Sequence, residues 1–373
     1  MENSTIVNGN TIQSIQNLVT ENSVSNILLQ TYCNVVQAIP IIDLSGIAFV
    51  AADQHVITDI VNHQNDAIAA TKEVSTALSE MESNLSDVIG FANMWNSRYE
   101  SILTLLDSEE SNSNQQLLTA GIQGLINECN TIGKNSTNAI ITLNNFIAGI
   151  NNVLTYLKSD QVIIEKYFGG DTGAIENLEA QINSLNATME SDNATISRGA
   201  LKQGLGVLII TIVVVAEIFK NSNNEGGGEE SGGNDDDDDE SGKIINASVD
   251  MIKDDIKQQS AASDQWNSSF VAYQSLVVNL TSEKQLYAAT VQLCNSMASI
   301  FNTATAVITI ETDLQEAWNT LDLQLQGMIN SIQDNTINIQ QVKTTLIDMN
   351  SDINALKAGV ISLQSQGTVQ VVS

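Results

Sequence analysis

The sequence predicts an all-α fold: an elongated bundle of about five long helices, with a small head holding an apolar hairpin or β-tongue. Three observations carry this expectation. Pro40 is the only proline among 373 residues, whereas folded domains average about one in twenty. Proline breaks helix interiors, so its near absence suits a few very long helices joined by few turns. Aromatic residues make up only 4% of the chain, and the apolar residues are mostly Leu, Ile, Val and Ala, which fit narrow helix–helix seams. Finally, apolar residues recur at helical spacing through most of the chain.

The first helix is expected over 11–39, from Ile12, Ile15, Leu18, Val19, Ile27, Leu28, Val35 and Val36. Pro40 closes it, and Asp43, Ser45 and Gly46 supply turn chemistry. A second helix is expected to run unbroken from near Ile47 to Leu106, through Ile60, Val74, Met81, Leu85, Val88, Trp95, Ile102 and Leu106. At 1.5 Å per residue it would be about 90 Å long, so neighbours of similar length must cover it. The run Asp107–Asn114 reads as a polar turn. A third helix follows from about Gln115 to Tyr167, with apolar positions from Leu118 to Leu157 and then Val162 and Ile163. After Gly169, Gly170 and Gly173 a fourth helix is expected from Ala174 to Arg198.

The pattern then changes. Leu205–Phe219 reads LGVLIITIVVVAEIF, apolar on every side, and Asn221–Gly242 follows with no apolar residue at all. The second stretch has nothing to bury and reads as a solvated acidic loop. Helical periodicity resumes near Ile244, with softer breaks at Asn279–Glu283 and Glu311–Asp313, and continues to about Leu363. The closing GTVQVVS reads as a frayed tail. The domain plan is therefore a tail bundle over 1–200, a head over 201–245, and a C-terminal return to the tail over 246–373.

Leu205–Phe219 is the candidate functional segment. A bundle helix shows one apolar face, whereas this run is apolar all round and lies beside a charged loop. It is shorter than the roughly 20 residues of a conventional spanning helix. Its Val, Ile and Thr content suits a strand, with Ile244–Ile256 as the expected hairpin partner. As a helix, residues 196–220 would rise about 37 Å, enough for a hydrocarbon core of about 30 Å. Arg198 and Lys202 would flank one end and Lys220 the other. The residues expected to enter a membrane are Leu205, Val207, Leu208, Ile209, Ile210, Ile212, Val213, Val214, Val215, Ile218 and Phe219.

The net charge of −30 argues against nucleic acid as a partner, since phosphate contacts need clustered Lys and Arg. Cys33, Cys129 and Cys294 form no CxxC pair, and their odd number leaves at least one thiol free in a monomer. His55 and His63 are eight apart, not the four of an HExxH pair, so no metal is expected. The Asp235–Asp239 run lacks the ligand spacing of an EF-hand. Trp95, Trp266 and Trp318 read as seam residues. No cofactor and no enzymatic activity are expected. MENSTIVNGN has neither the basic nor the apolar region of a secretory signal.

These features resemble the α-helical pore-forming toxins: cytolysin A, the haemolysin BL and non-haemolytic enterotoxin components of Bacillus, Cry6-type insecticidal toxins, and the multipart toxins of Gram-negative bacteria. The stretch Gln37-Ala-Ile-Pro40-Ile-Ile-Asp43-Leu-Ser-Gly46 resembles the turn after the family's first helix, and His63-Gln64 the opening of its long second helix. Glu316-Ala-Trp318-Asn-Thr-Leu321 is similar to a C-terminal helix segment, and Leu205–Phe219 to the hydrophobic head. The resemblance implies a toxin or toxin subunit, secreted without a recognisable signal, soluble before insertion. Its partners would be the lipid of a target cell membrane and further copies of itself or companion subunits. The acidic insert Glu225–Glu240 departs from the family's longer apolar hairpin and favours shallow insertion or dependence on a partner. The alternative reading is a non-enzymatic helical rod or tether with one short membrane-associated segment.

Overall fold

The computed structural model describes residues 9–38, 54–107, 111–168, most of 180–191, 209–213, 282–334, 339–366 and 368–372, with 177, 265, 268 and 269 besides. The elements are α1 (Gly9–Ala38), α2 (Gln54–Lys72), α3 (Val74–Asp107), α4 (Ser111–Phe168), β1 (Ile209–Val213), α5 (Ser282–Gln333), α6 (Ile339–Gln366) and β2 (Thr368–Val372). Residues 180–185 and 187–189 are helical too, within the expected fourth helix. The described fold is all-α apart from the two five-residue strands. The Pro40 turn, the glycines at 169–173, residues 205–208 and 214–219, the acidic loop and Ile244–Ile256 lie outside the described residues.

Three boundaries differ from expectation. The second helix is interrupted at Glu73, without proline or glycine. There the backbone tightens: Glu73 N–H donates to Ala70 O and Thr76 N–H to Glu73 O, both at 3.2 Å. The hydroxyls of Thr71 and Ser75 bond back to Ile68 O and Lys72 O. Such side chains compete with the helix ladder for backbone partners. α4 begins at Ser111, inside the run expected to turn. α5 passes straight through Glu311–Asp313, because Glu311 faces inward and finds partners there.

The chain forms two compact units. The first draws on Met1–Gln37, Asp66–Thr155 and Ser296–Thr368, and the second on Ala38–Asn65, Tyr156–Asn295 and Val369–Ser373. The core of the first unit is built by five helices, α1 and α3 to α6. Its centre includes Ile12 and Ile15, Phe91 and Trp95, Ile122 and Leu125, Trp318 and Leu321, and Ile353 and Leu356. Phe91 meets Trp318 edge to face, with centroids 5.0 Å apart, a geometry favoured by the ring quadrupoles. Trp95 Nε1 donates to Asn350 Oδ1 at 3.1 Å, joining α3 to α6.

Polar pairs set the helix directions. Asn84 bonds Glu311 while Phe91 meets Trp318, so α3 and α5 step seven residues together and run parallel. Thr137 bonds Gln315 and Asn130 bonds Asp322, so α4 opposes α5. Thr11 bonds Gln324 and Asn22 bonds Glu311, so α1 opposes α5 as well. Along α1, Asn22, Ser23 and Val24 are buried in succession, as are Thr31, Tyr32 and Cys33. A helix covered on successive residues has neighbours on more than one face.

α3 and α4 approach closely at Gly121 and Gly124. Arg98 Nη1 donates to Gly121 O at 3.3 Å. A Cβ on Gly124 would stand 2.5 Å from the Arg98 guanidinium, so the glycine makes room for a cation lying on the α4 backbone. Two substitutions separate core packing from this contact. Trp318→Ala should lower stability by about 3–5 kcal/mol, as for other buried Trp truncations. Gly124→Ala should change it by less than about 1 kcal/mol. The helix propensity gained, about 1 kcal/mol, offsets a displaced flexible side chain and one hydrogen bond of about the same worth. Urea unfolding of both variants checks this; comparable losses would show that α3 and α4 cannot give at this point.

Candidate membrane-inserting site

Of the residues expected to enter a membrane, Ile209, Ile210, Ile212 and Val213 lie in β1, as does Thr211. Leu205, Val207, Leu208, Val214, Val215, Ile218 and Phe219 lie outside the described residues. β1 is therefore a strand, as its β-branched composition suggests. The strand hydrogen-bonded to it is β2, Thr368–Val372. This corrects one expectation, that the C-terminal residues form a frayed tail; Ile244–Ile256, the partner expected for β1, lies outside the described residues. TVQVV is itself β-branched at Thr368, Val369, Val371 and Val372, so a neighbouring strand edge suffices to order it. Two five-residue strands are marginal in water without further packing. β1 and all but the first residue of β2 belong to the second unit.

In that unit, helices are clasped by polar contacts. His63 of α2 and Asp160 of α4 stand 2.7 Å apart, Nδ1 to Oδ2, with side chains 22% and 3% exposed. A carboxylate only accepts, so Nδ1–H donates. Tyr156 stacks on the imidazole at 4.9 Å and 11°. Burial pushes the Asp160 carboxyl above the usual carboxylate range; the His63 hydrogen bond and charge pull it back, and Asp59 adds to the rise. A second clasp joins α5 to α4, where Tyr287 OH donates to Glu165 Oε1 at 3.2 Å and Gln161 Nε2 to the same oxygen at 3.1 Å. Asn295 Nδ2 donates to Asn183 Oδ1 at 3.2 Å. The start of α5 is covered on all faces, with Leu286 to Cys294 buried without a gap.

The His63–Asp160 pair is not visible in the sequence, where His63 reads as half of a failed metal pair and, with Gln64, as part of the resemblance at the second helix. Its signal is Asp160 itself, an acid in the apolar row of Val153, Leu157 and Ile164. The three cysteines are free and buried. Burial pushes the Cys294 thiol up to about 12 and raises the other two also, which keeps them poor nucleophiles. Among the described residues no group of three or more His, Cys, Asp or Glu side chains could hold a metal. Within α5, Leu286–Gln333 is apolar enough in its best window (mean hydropathy 1.3) to cross a membrane by length and composition. Core helices of soluble bundles pass the same test.

His63→Ala should remove the donor from a buried carboxylate and cost about 1–3 kcal/mol. The raised Asp160 pKa sets the sign. The unpartnered carboxylate costs most where it is ionised, so the deficit should shrink as pH falls through that pKa. Equal losses at about pH 8 and pH 5 in urea unfolding would show that the ring acts by packing alone.

Residues 10–192 match the family model of the Bacillus haemolytic enterotoxin (HBL). No curated protein matches the chain by sequence. Among solved structures, the chain is similar to the Bacillus cereus HblL1 toxin component, with a TM-score of 0.75 at 14% identity over 95% of this chain and 97% of that one. It is similar also to soluble AhlB of the tripartite α-pore-forming toxin AHL from Aeromonas hydrophila, with a TM-score of 0.67 at 14% identity over 96% and 95% of the two chains. The AhlB pore gives a TM-score of 0.60 at 15% identity over 96% and 98%. Identities this low speak to the fold. The family match adds likeness in sequence over residues 10–192, and with it the resemblance read from the sequence holds: the chain is similar to the Bacillus haemolytic enterotoxin family over that stretch and to α-pore-forming toxin components in fold.

Proposed function

We propose that the protein is a pore-forming toxin subunit of a multicomponent system. Its soluble form would release the Leu205–Phe219 head segment onto a target membrane and oligomerise there with further copies or companion subunits. The observation that carries this reading is the haemolytic enterotoxin match over residues 10–192. The fold supports it, since one neighbour, AhlB, is known both as a soluble protein and as a pore. The higher TM-score to soluble AhlB favours the soluble state for the present conformation.

Membrane entry would be driven by apolar burial, at about 25 cal/mol per Å². β1 cannot enter lipid as an open strand, because its backbone groups would lack partners there. Parting from β2 and refolding as helix, or joining a closed barrel, would satisfy them. The site residues would then be those named above, from Leu205 to Phe219, acting outside the producing cell. The acidic run beyond them would stay in water, limiting how deep the segment travels and favouring companion subunits for a complete pore.

The test is dye release from phosphatidylcholine vesicles by the purified protein, with particle size followed by light scattering. Release with formation of large oligomers is expected, alone or after companion subunits are added. Val213→Asp should keep the soluble helical fold by circular dichroism and abolish release. Undiminished release by that variant would remove Leu205–Phe219 from the mechanism.

A further inference from the structure

One layer of the first unit's core is polar. Glu311, in the middle of α5, is fully buried. Asn22 of α1 donates through Nδ2 to its Oε1 at 2.6 Å, and Asn84 of α3 donates to Oε1 and Oε2 at 3.2 and 3.1 Å. Ser136 of α4 adjoins the same carboxyl, without completing a hydrogen bond of full geometry through Oγ. A single carboxyl thus ties α1 and α3 to α5 and lies against α4.

The layer holds more acceptors than donors. An ionised carboxyl only accepts. The second oxygens of the two amides, Asn22 Oδ1 and Asn84 Oδ1, are buried without partners, as is Ser136 Oγ. Among the described residues no cation balances the charge. The groups facing Glu311 from α1, α3 and α4 are two amides and a hydroxyl, and burial and these three neighbours are the leading causes of its shift. Asp87 is engaged elsewhere, by Asn135 at 2.7 Å. A proton on the carboxyl removes the buried charge and eases the excess of acceptors, since its O–H donor serves one of the three unpartnered oxygens, the hydroxyl beside it.

We propose that Glu311 is a proton-operated latch: protonated, it closes the layer that joins α1, α3 and α4 to α5, and ionised, it leaves the first unit poised to open. Burial, opposed by the three polar neighbours, holds this carboxyl above its ordinary value. Between the unfolded value of 4.5 and the raised folded one, the folded state keeps a proton that the unfolded state has lost. Each step up in pH there weakens the bundle, and above the folded value the latch contributes nothing. Acid therefore locks the soluble form, and neutral or alkaline medium releases it. The consequence for membrane activity rests on the toxin reading above; the latch itself does not.

The test is urea unfolding of the full chain across about pH 5 to 8, with salt near 1 M to screen its general acidic repulsion. For wild type, the folded-to-unfolded ratio should fall by up to about tenfold per pH unit within the window. Glu311→Gln, neutral and of the same shape, should lose that contribution and hold the acid-side midpoint throughout. An unaltered slope in E311Q overturns the latch. Should E311Q not fold, Asn84→Leu removes a donor that favours the ionised form, and its window should reach to higher pH; an unmoved window overturns the latch equally. On phosphatidylcholine vesicles, wild-type release should slow in acid, and E311Q should be slow at every pH. Release by E311Q with the wild-type pH profile counts against the latch. No release by either protein, with or without companion subunits, counts against the toxin reading, and the latch then stands or falls with the unfolding slopes.

Discussion

A helix with an apolar seam cannot remain in water unless something covers that seam along its whole length, and α4 carries one through 58 residues. Most of the first unit's structure answers that constraint. Covering partners must be long, must run side by side, and must keep register over many turns. The pairs Asn130 with Asp322 and Thr137 with Gln315 are seven residues apart on both α4 and α5. Asn84 and Phe91 of α3 meet Glu311 and Trp318 of α5 at the same interval. Seven residues return a helix to nearly the same face, so each polar or aromatic pair fixes the alignment of the apolar turns between it and the next.

Apolar contact alone does not choose a register, because one leucine fits another's place. Hydrogen bonds do, because a misplaced buried amide loses its partner at a cost of about 1–3 kcal/mol. The core of the first unit accordingly contains Glu311 with its two asparagines, and the second unit has His63 with Asp160. Well-packed apolar residues in place of a buried charged group are often neutral or stabilising. A bundle that must later rearrange has a use for such layers, since they name the correct packing while lowering the barrier to leaving it.

The helices are legible in the sequence because periodicity is a local property repeated many times. Met81, Leu85, Val88, Trp95, Ile102 and Leu106 form one apolar stripe in the sequence and all are buried. Where consecutive residues are apolar, the phase becomes ambiguous. Within Val162-Ile-Ile164 the spacing favours Val162, which is 64% exposed, over Ile164, which is fully buried. Polar layers are illegible for a different reason. Asp160 and Glu311 look like surface residues until their partners are known, and those partners lie 97 residues away for Asp160 and 289 and 227 for Glu311. Hence Glu311 reads as a break in a helix that it in fact helps to anchor.

The β1–β2 pairing joins both themes. It lies in the part of the chain where helical periodicity gives out, and its two strands come from segments more than 150 residues apart in the sequence. A hairpin expected from sequence assumes that a strand pairs with the next extended segment along the chain; the described partner of β1 is instead a strand far along the sequence. The consequence is mechanical. A strand held by its own hairpin can leave as a unit with its backbone bonds intact, whereas β1 must give up its bonds to β2 before it can move alone. Those five residues of backbone pairing are short enough to break and reform, and they tie the fate of the apolar segment to the end of the chain.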